Sequence, residues 1–388
     1  MYIAILGRQS PISMAELESL YGHEATRWWS DEAAIVDSEA FDFERLGGTQ
    51  KAGKVITQLS GGSWKSVSTK IVQHYSDQWK SVDHKITLGI SLYGFRETPR
   101  DIQRTGIALK KTLRSGGVSL RLIPNAEPAL NTATSHHNKL GLSASKVELL
   151  IVRAGSGRII IAESVGAQNI TALARRDQAR PRTDAFVGML PPKLARMMVN
   201  MAETKATQTI LDPFCGTGVV LQEAALLGYD VVGTDLSEKM VDYARINLQW
   251  LRETHNATTE VTISQADAMT HTWRDTSIDA VVCETYLGQP FSAPPSSAKL
   301  TEVRGNCNHI ISTWLKNIAP QLAAGTPLCI AVPAWNDGHD HFTHLPFISN
   351  LSALGYQRTT LHNVRDDQLL YYREGQVVAR ELLILSRD

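Results

Sequence analysis

The sequence predicts an α/β protein whose C-terminal half forms a doubly wound sheet, and three observations support this. From residue 210 onward, short apolar runs alternate with helix-forming runs. The first apolar run, 209–212, ends at an acid and leads through a glycine-rich turn into a helix-forming run, 219–227. The next apolar run, 229–235, also ends at an acid. Such alternation builds a parallel sheet that binds its ligand at the carboxyl ends of the strands.

The turn and the second acid predict an adenosine-containing cofactor. Gly216 and Gly218 let the backbone approach a ligand closely, and the helix N-terminus that follows offers unpaired N–H groups. Asp235 ends the second strand, where α/β sheets usually hold a ribose diol. A dinucleotide fingerprint would carry a third glycine at position 221, where this chain has leucine. The turn therefore differs from that of an ordinary NAD site.

The other elements of the C-terminal half follow from periodicity and capping. Two prolines open a helix whose apolar residues recur at i, i+3, i+4 and i+7, which indicates a buried face: Leu194, Met197, Met198 and Met201. The remaining predictions are a helix at 238–251 capped by Ser237, strands at 261–264 and 278–283, a helix at 308–319, a strand at 327–332, and two antiparallel strands near 358–364 and 377–385.

The N-terminal part is predicted as two smaller α/β blocks followed by a connector. The first, 1–60, has strands at 1–6, 34–36 and 54–59 and a helix at 13–20, with Ser13 and Glu16 forming a capping box. The second, 61–170, has helices at 67–78, 101–114 and 133–140, strands at 85–93 and 119–123, and a hairpin of 147–152 with 158–162. Residues 171–190 form a polar, arginine-rich connector.

Charge is distributed unevenly along a chain whose formal net charge is zero. Residues 51–200 hold 23 basic and 9 acidic residues, whereas residues 1–50 have a net charge of −6 and residues 201–388 of −8. A basic block beside acidic neighbours is typical of a surface that binds a phosphate backbone. A solvated lysine-rich surface would show the same pattern, so that alternative stays open.

Composition excludes two other classes of protein. No apolar run approaches 18 residues, so we expect no membrane span. The N-terminus has no basic region before its apolar run, which favours a first strand over a signal peptide. The cysteines lack CxxC spacing, which argues against a zinc site or a disulfide framework and fits a reducing, cytoplasmic location. They are Cys215, Cys283, Cys307 and Cys329.

The run Asp212-Pro213-Phe214-Cys215-Gly216-Thr217-Gly218 resembles the first motif of class I S-adenosylmethionine-dependent methyltransferases that modify amino groups of nucleic acid bases. The resemblance implies that S-adenosyl-L-methionine is the cofactor and that this loop contacts its methionine part. It also implies that Asp235 holds the ribose hydroxyls and Asp267 the adenine amine. The cofactor-binding candidates are Asp212, Pro213, Cys215, Gly216, Thr217, Gly218, Asp235, Leu236, Asp267 and Ala268.

The end of the fourth strand departs from that family's pattern. The family carries Asp or Asn, two prolines and Tyr or Phe there; the acid or amide accepts from the exocyclic amine, and the ring stacks on the base. This chain has Glu284-Thr285-Tyr286-Leu287, so both prolines are absent and the ring lies one residue early. The catalytic candidates are Glu284 as the acceptor and Tyr286 as the stacking ring. The alternatives are that Tyr286 is a core residue and that the pocket no longer methylates.

Two stretches upstream, 176–181 and 188–195, look like the linker and first methyltransferase helix of THUMP-containing tRNA (guanine-N2)-methyltransferases. The resemblance implies an N-terminal ferredoxin-like unit at 1–60, a THUMP-like RNA-binding domain at 61–170 that grips the tRNA 3′ end, a linker at 171–190 and a Rossmann-like class I methyltransferase domain at 191–388 with an antiparallel last strand. The candidates for tRNA contact are Arg96, Arg100, Arg104, Lys110, Lys111, Arg114, Arg121, Arg176 and Arg180.

The expected reaction is methylation of the exocyclic N2 amine of a guanosine in tRNA. Three alternatives remain: methylation of an amine in rRNA or DNA, a non-catalytic RNA-binding protein that keeps the cofactor fold, and, least favoured, an NAD oxidoreductase. Some members of the family need a small activator subunit, and the sequence leaves both possibilities open. No metal site is expected.

Overall fold

The computed structural model describes residues 1–184, 189–202, 208–255, 257–273, 277–336 and 341–388, so Gly188 of the predicted linker lies outside the described residues. The chain divides into two compact units. The first comprises Met1–Leu17, Tyr21–Glu44 and Gly48–Ala172, and the second comprises Glu18–Leu20, Arg45–Gly47 and Leu173–Asp388. None of the helices in the described ranges combines the length and apolarity needed to cross a membrane.

The first unit is an α/β layer built on one mixed sheet. Its elements are β1 Tyr2–Leu6, α1 Ser10–Tyr21, β2 Thr26–Ser30, β3 Ala33–Val36, β4 Thr49–Leu59, α2 Trp64–Trp79, β5 Ile86–Tyr93, α3 Pro99–Ser115, β6 Leu120–Leu122, α4 Thr132–His137, β7 Lys146–Arg153 and β8 Ile159–Ala167. The strands lie in the order β2-β3-β1-β4-β8-β7-β5-β6. Because β4 pairs antiparallel with both β1 and β8, the sheet continues across the predicted boundary at residue 60. The division at that residue stays a prediction.

The capping box predicted in the first helix is wrong. Helix α1 begins at Ser10, so Ser13 and Glu16 lie inside it and are buried. The Ser13 hydroxyl donates to the Gly48 carbonyl oxygen at 3.0 Å, and the Glu16 carboxylate accepts from the Gly48 N–H at 2.8 Å. Both side chains therefore form hydrogen bonds with the buried backbone groups of Gly48, which is distant in sequence. This tertiary contact takes the place of the predicted capping interaction.

The second unit contains the doubly wound sheet. Its elements are α5 Ile170–Gln178, α6 Pro192–Met201, β9 Thr209–Asp212, α7 Val219–Leu226, β10 Asp230–Asp235, α8 Glu238–His255, β11 Val261–Gln265, β12 Ala280–Glu284, α9 Ser297–Ile318, β13 Pro327–Asn336, β14 Phe342–Thr343, β15 Tyr356–Arg358, β16 Leu370–Tyr371 and β17 Val378–Arg387. The main path of its strands is β11-β10-β9-β12-β13-β17-β15. The first five are parallel, and β17 runs antiparallel to its neighbours.

The strand order places a binding crevice at one position. The chain moves outward from β9 through β10 to β11 and then returns to β12 on the other side of β9. In open α/β sheets the ligand lies outside the carboxyl ends of the strands where this reversal occurs. Those ends are Asp212 on β9 and Glu284 on β12. The predicted fold class, an α/β protein with a Rossmann-like C-terminal domain and an antiparallel last strand, is confirmed.

Three elements of this unit differ from their predictions. Part of the arginine-rich connector is helical, as α5. Helix α9 begins at Ser297, eleven residues before the predicted start, because Ser296 caps it by accepting from the Lys299 N–H. The predicted strand at 358–364 ends at Arg358, and the following residues leave the sheet. Apolar periodicity missed the α9 start because the first turns of that helix are mostly exposed.

Candidate active site

The loop after β9 is held by hydrogen bonds to itself and to β10. Asp212 Oδ1 accepts from the Phe214 N–H at 3.1 Å, and the Cys215 N–H donates to the Thr234 carbonyl oxygen at 2.9 Å. Gly216 has a φ of +49°, a region that favours glycine. A Cβ built on Gly216 would have its nearest neighbour 4.0 Å away, so this part of the loop borders open space.

Gly218 is needed for a different reason from Gly216. It is the N-cap of α7 with a φ of +82°, and a Cβ built there would lie 3.2 Å from the Ala244 Cβ of α8. Asn247, also on α8, is buried and donates from Nδ2 to the Thr217 carbonyl oxygen at 2.9 Å. The second glycine therefore lets the loop and α8 approach each other, and it does not line the cavity described below.

Asp235 and Asp267 brace the two loops that follow. Asp235 accepts from the Gly216 N–H at 3.0 Å through Oδ2 and from the Ser237 N–H at 2.9 Å through Oδ1. Burial raises the pKa of the Asp235 carboxyl, and those two N–H groups oppose the rise. Asp267 Oδ1 accepts from the Met269 N–H at 2.9 Å. Asp235 thus fixes both the loop after β9 and the loop after β10, and Asp267 fixes the loop after β11.

One cavity of about 560 Å³ brings the predicted residues together. Eleven of the twelve cofactor-binding and catalytic candidates line it, and Gly218 is the exception. Tyr286 is 41% exposed, so it is not a core residue. The lining also includes residues that the sequence did not single out, from the predicted linker, from helices and from the loops after β11 and β12. Among them are Asp184, Met189, Leu190, Met240, Met269, Thr285, Asn306 and Ile310.

The loop after β12 replaces the rigidity of two prolines with hydrogen bonds. Thr285 is buried, and both its N–H and its hydroxyl donate to the Ala331 carbonyl oxygen of β13, at 2.9 and 3.0 Å. Gly288 has a φ of +80°, and a Cβ there would lie 2.8 Å from Val303 Cγ1. The loop is therefore fixed against both β13 and α9, although its sequence departs from the family pattern.

Arg380 is a site residue that sequence reasoning missed. Its Nε donates to Glu284 Oε1, and the two side chains are 8% and 18% exposed. Burial raises the pKa of the Glu284 carboxyl, and the Arg380 guanidinium opposes that rise. No sequence signal links the two residues, because they are 96 positions apart and pair only through the folded sheet.

The cavity is rich in carboxylates beside apolar side chains. Asp212 is buried, and burial raises the pKa of its carboxyl well above the ordinary value, with the charges of Asp235 and Glu284 adding to the rise. Such a site favours a ligand that carries positive charge, because a cation would relieve the repulsion between these acids. S-adenosylmethionine, a sulfonium that also carries an ammonium group, fits this lining, which includes the apolar side chains of Leu236 and Met240.

Two of the nine predicted RNA contacts are corrected by the structure. Arg176 and Arg180 are buried inside the second unit, 7% and 5% exposed. Arg176 Nε donates to Glu223 Oε1 at 2.6 Å, and Arg196 Nε donates to the other carboxylate oxygen at 2.8 Å. Burial keeps both guanidinium groups from a phosphate on the surface, and that of Arg176 is also committed to a buried ion pair. The seven other basic candidates are exposed in the first unit: Arg96, Arg100, Arg104, Lys110, Lys111, Arg114 and Arg121.

Family models match both the middle and the C-terminal part of the chain. A model described as an RMKL-like methyltransferase domain matches residues 180–315, the segment that contains the cavity loops. A second model, described as DNA methylase, matches residues 49–245, half of the chain. Both families are methyltransferases.

Curated relatives resemble shorter parts of the chain. The tRNA (guanine(10)-N2)-dimethyltransferase of Methanothermobacter thermautotrophicus is 36% identical over 163 residues, which is 42% of this chain and 44% of that protein. The enzyme of the same name from Pyrococcus abyssi is 56% identical over 61 residues, which is 16% of this chain and 18% of that protein. The chain thus spans less than half the length of these relatives in the matched regions.

Two solved structures share the fold over nearly the whole chain. TrmN from Thermus thermophilus superposes with a TM-score of 0.52 at 16% identity, covering 100% of this chain and 99% of that one. A possible methylase from Clostridium difficile 630 gives a TM-score of 0.50 at 12% identity, covering 98% and 97%. At these identities the likeness concerns the fold.

Proposed function

The chain belongs to the family of THUMP-containing tRNA (guanine-N2)-methyltransferases, and on that premise we propose that it methylates the exocyclic N2 amine of a guanosine in tRNA. One observation carries the proposal furthest. Glu284, which can accept from an amine, lines the same cavity as the glycine-rich loop and Asp235. The relatives named for guanine-N2 dimethylation of tRNA support the choice of substrate.

In this proposal one half of the cavity, at Asp212 and Asp235, binds the cofactor, and the other half, at Glu284 and Tyr286, binds the target base. When bound, S-adenosylmethionine would supply an electrophilic methyl carbon, to which the amine nitrogen would bond in line as the carbon–sulfur bond breaks, releasing S-adenosylhomocysteine and one amine proton. Asp235 would hold the ribose hydroxyls, and the carboxylate of Asp212 would face the methionine part. Glu284 accepts a hydrogen bond from the exocyclic amine, which orients the lone pair toward the methyl group. Tyr286, exposed at the cavity, stacks on a base that has been flipped out of its helix.

The first unit docks the RNA in this proposal. Its seven exposed basic candidates supply phosphate contacts that position a tRNA without reading its sequence. We retain residues 61–170 as the THUMP-like domain that grips the 3′ end, after the ferredoxin-like unit at 1–60 and before the linker at 171–190 and the methyltransferase domain at 191–388. A cytoplasmic location is part of the proposal, and the four free, buried cysteines are consistent with it.

Nucleoside mass spectrometry tests the proposal directly. The protein is incubated with total tRNA and isotopically labelled S-adenosylmethionine, and the tRNA is then digested. We expect labelled N2-methylguanosine, and the chain acting alone would show that it needs no activator subunit. Labelled N6-methyladenosine in place of N2-methylguanosine would contradict the proposal.

A second candidate function follows from the family match to DNA methylases. It keeps the cofactor and changes the substrate to an amine in DNA or rRNA. Parallel reactions with rRNA and with duplex DNA distinguish it, because label would then appear in those substrates and not in tRNA. Cofactor binding without product on any substrate would instead favour a non-catalytic RNA-binding protein.

A further inference from the structure

The ion pair between Glu284 and Arg380 crosses an intervening strand. Glu284 on β12 lies beside Ala331 on β13 in the parallel register, and Arg380 on β17 lies opposite Pro333 of the same strand. Since side chains two residues apart on a strand point to the same face, all four residues share one face of the sheet. Ala331 and Pro333 are short, which leaves room for the Arg380 side chain to extend over β13 to Glu284.

The pairing leaves one carboxylate oxygen for another partner. Arg380 Nε donates to Oε1 of Glu284. Within the described part of the chain, no residue donates to Oε2. Glu284 lines the cavity together with Tyr286 and the cofactor loop. Oε1 is thus held by Arg380, and Oε2 can accept a hydrogen bond from a ligand in the cavity.

We propose that Arg380 is a positioning residue that holds Glu284 as an oriented carboxylate, and that this carboxylate makes the pocket select guanine over adenine. The inference rests on the proposed function and deepens it. An ionised carboxylate only accepts hydrogen bonds. On the Watson–Crick edge, guanine presents the N1–H and N2–H donors side by side, whereas adenine presents its N6 amine beside the N1 lone pair. A carboxylate therefore pairs with guanine and repels adenine.

A protonated Glu284 would reverse this preference, because a carboxylic acid can donate to the adenine N1. The ionisable groups around Glu284 are Asp212 at the end of β9, Cys283 on β12, Tyr286 in the following loop and Arg380 on β17. Burial disfavours the carboxylate form of Glu284, and the charge and hydrogen bond of Arg380 favour it. Replacing Arg380 should therefore raise the pKa of Glu284.

The first test is the pH dependence of methyl transfer in Arg380→Met, which removes the charge and keeps most of the side-chain volume. At neutral pH we expect turnover on tRNA to fall roughly tenfold, the loss expected for one charge-assisted hydrogen bond. Activity should recover as the pH is raised, since Glu284 is active as the carboxylate and is lost as the pH falls through its pKa. Arg380→Lys should keep most of the activity at neutral pH.

The second test is a double-mutant cycle. If Arg380 acts through Glu284, the variant Glu284→Gln/Arg380→Met should be no slower than Glu284→Gln alone. The affinity for S-adenosylmethionine, measured by calorimetry, should stay within about threefold of wild type in all four proteins, which also reports that each variant is folded. Nucleoside analysis should show that the share of N6-methyladenosine in the residual product rises in Arg380→Met.

Several results would overturn the inference. They are equal slowing of Arg380→Met at every pH, losses that multiply in the double variant, or an unchanged share of methylated adenine. In each of these cases a wild-type protein that makes N2-methylguanosine keeps the proposed function intact. A wild-type protein that binds the cofactor and methylates no tRNA would refute the proposed function and this inference together. If Arg380→Met does not fold, Arg380→Lys decides: a pH profile and product ratio that both match wild type support the inference, and the loss of activity at every pH contradicts it.

Discussion

The two halves of the cavity are built in different ways. In the cofactor half, each loop is fixed by bonds between near neighbours and between adjacent strands: Asp212 to Phe214, and Asp235 to Gly216 and Ser237. In the target half, Glu284 depends on Arg380, which is 96 residues away. The first half is therefore formed by residues that are close in sequence or lie at the ends of adjacent strands. The second exists only once β12, β13 and β17 have assembled.

Asp235→Ala should have the largest effect, confined to the cofactor half. The variant loses the carboxylate proposed to hold the ribose and the bond that braces Gly216. Two charge-assisted hydrogen bonds lost amount to about 3 kcal/mol or more, which corresponds to a weakening of roughly a hundredfold. Calorimetry with S-adenosylmethionine measures this. Asp242→Ala is the matched control, because Asp242 is an exposed acid on α8, and it should bind like wild type.

A pair of glycine substitutions separates conformational cost from close packing in the same loop. Gly218→Ala should lower the free energy of unfolding by about 2–3 kcal/mol, because the left-handed φ and the 3.2 Å approach to Ala244 both oppose a Cβ. Gly216→Ala carries only the conformational cost of about 1 kcal/mol, since its Cβ would meet nothing closer than 4.0 Å. Equal losses in urea denaturation would show that α8 tolerates the added methyl group.

Asp212→Asn should stabilise the protein without cofactor while weakening cofactor binding. The pKa of Asp212 is raised in the folded state, so the folded protein binds this proton more tightly than the unfolded chain does. The free energy of unfolding therefore falls as the pH rises from the pKa of the unfolded chain, near 4, through the pKa of the folded protein. Asparagine has no proton to lose, so it removes this fall in stability, and its side-chain oxygen can still accept from the Phe214 N–H. Thermal unfolding at pH 7 should show a gain on the order of 1 kcal/mol that shrinks toward pH 4. A gain independent of pH would contradict this origin.

Thr285→Val tests whether the hydroxyl contributes to the target half. The variant keeps the shape and the backbone N–H bond to Ala331 but loses the hydroxyl bond. The expected loss is about 1 kcal/mol, seen as a severalfold drop in turnover with an unchanged affinity for S-adenosylmethionine. Thr285→Ser keeps the hydroxyl and should resemble wild type. If Thr285→Val and Thr285→Ser behave alike, the bond does not position the loop.

The same difference explains what could be predicted from the sequence. Eleven of the twelve predicted site residues line the cavity, because strand, turn and acid follow one another along the chain. Arg380 was missed because its partner is set by strand order. Arg176 was assigned to RNA on charge, and only the fold reveals that it pairs with the buried Glu223. Ser13 and Glu16 formed a plausible local cap, which the tertiary contact with Gly48 replaced.

The central claim is that one cavity holds the cofactor in one half and the accepting amine in the other, and Glu284→Gln tests it most directly. Turnover on tRNA and the dissociation constant of S-adenosylmethionine are measured on the same preparation. We expect turnover to fall about a hundredfold while the dissociation constant changes by less than about threefold. Equal losses in turnover and cofactor affinity would place Glu284 in the cofactor site and contradict the account.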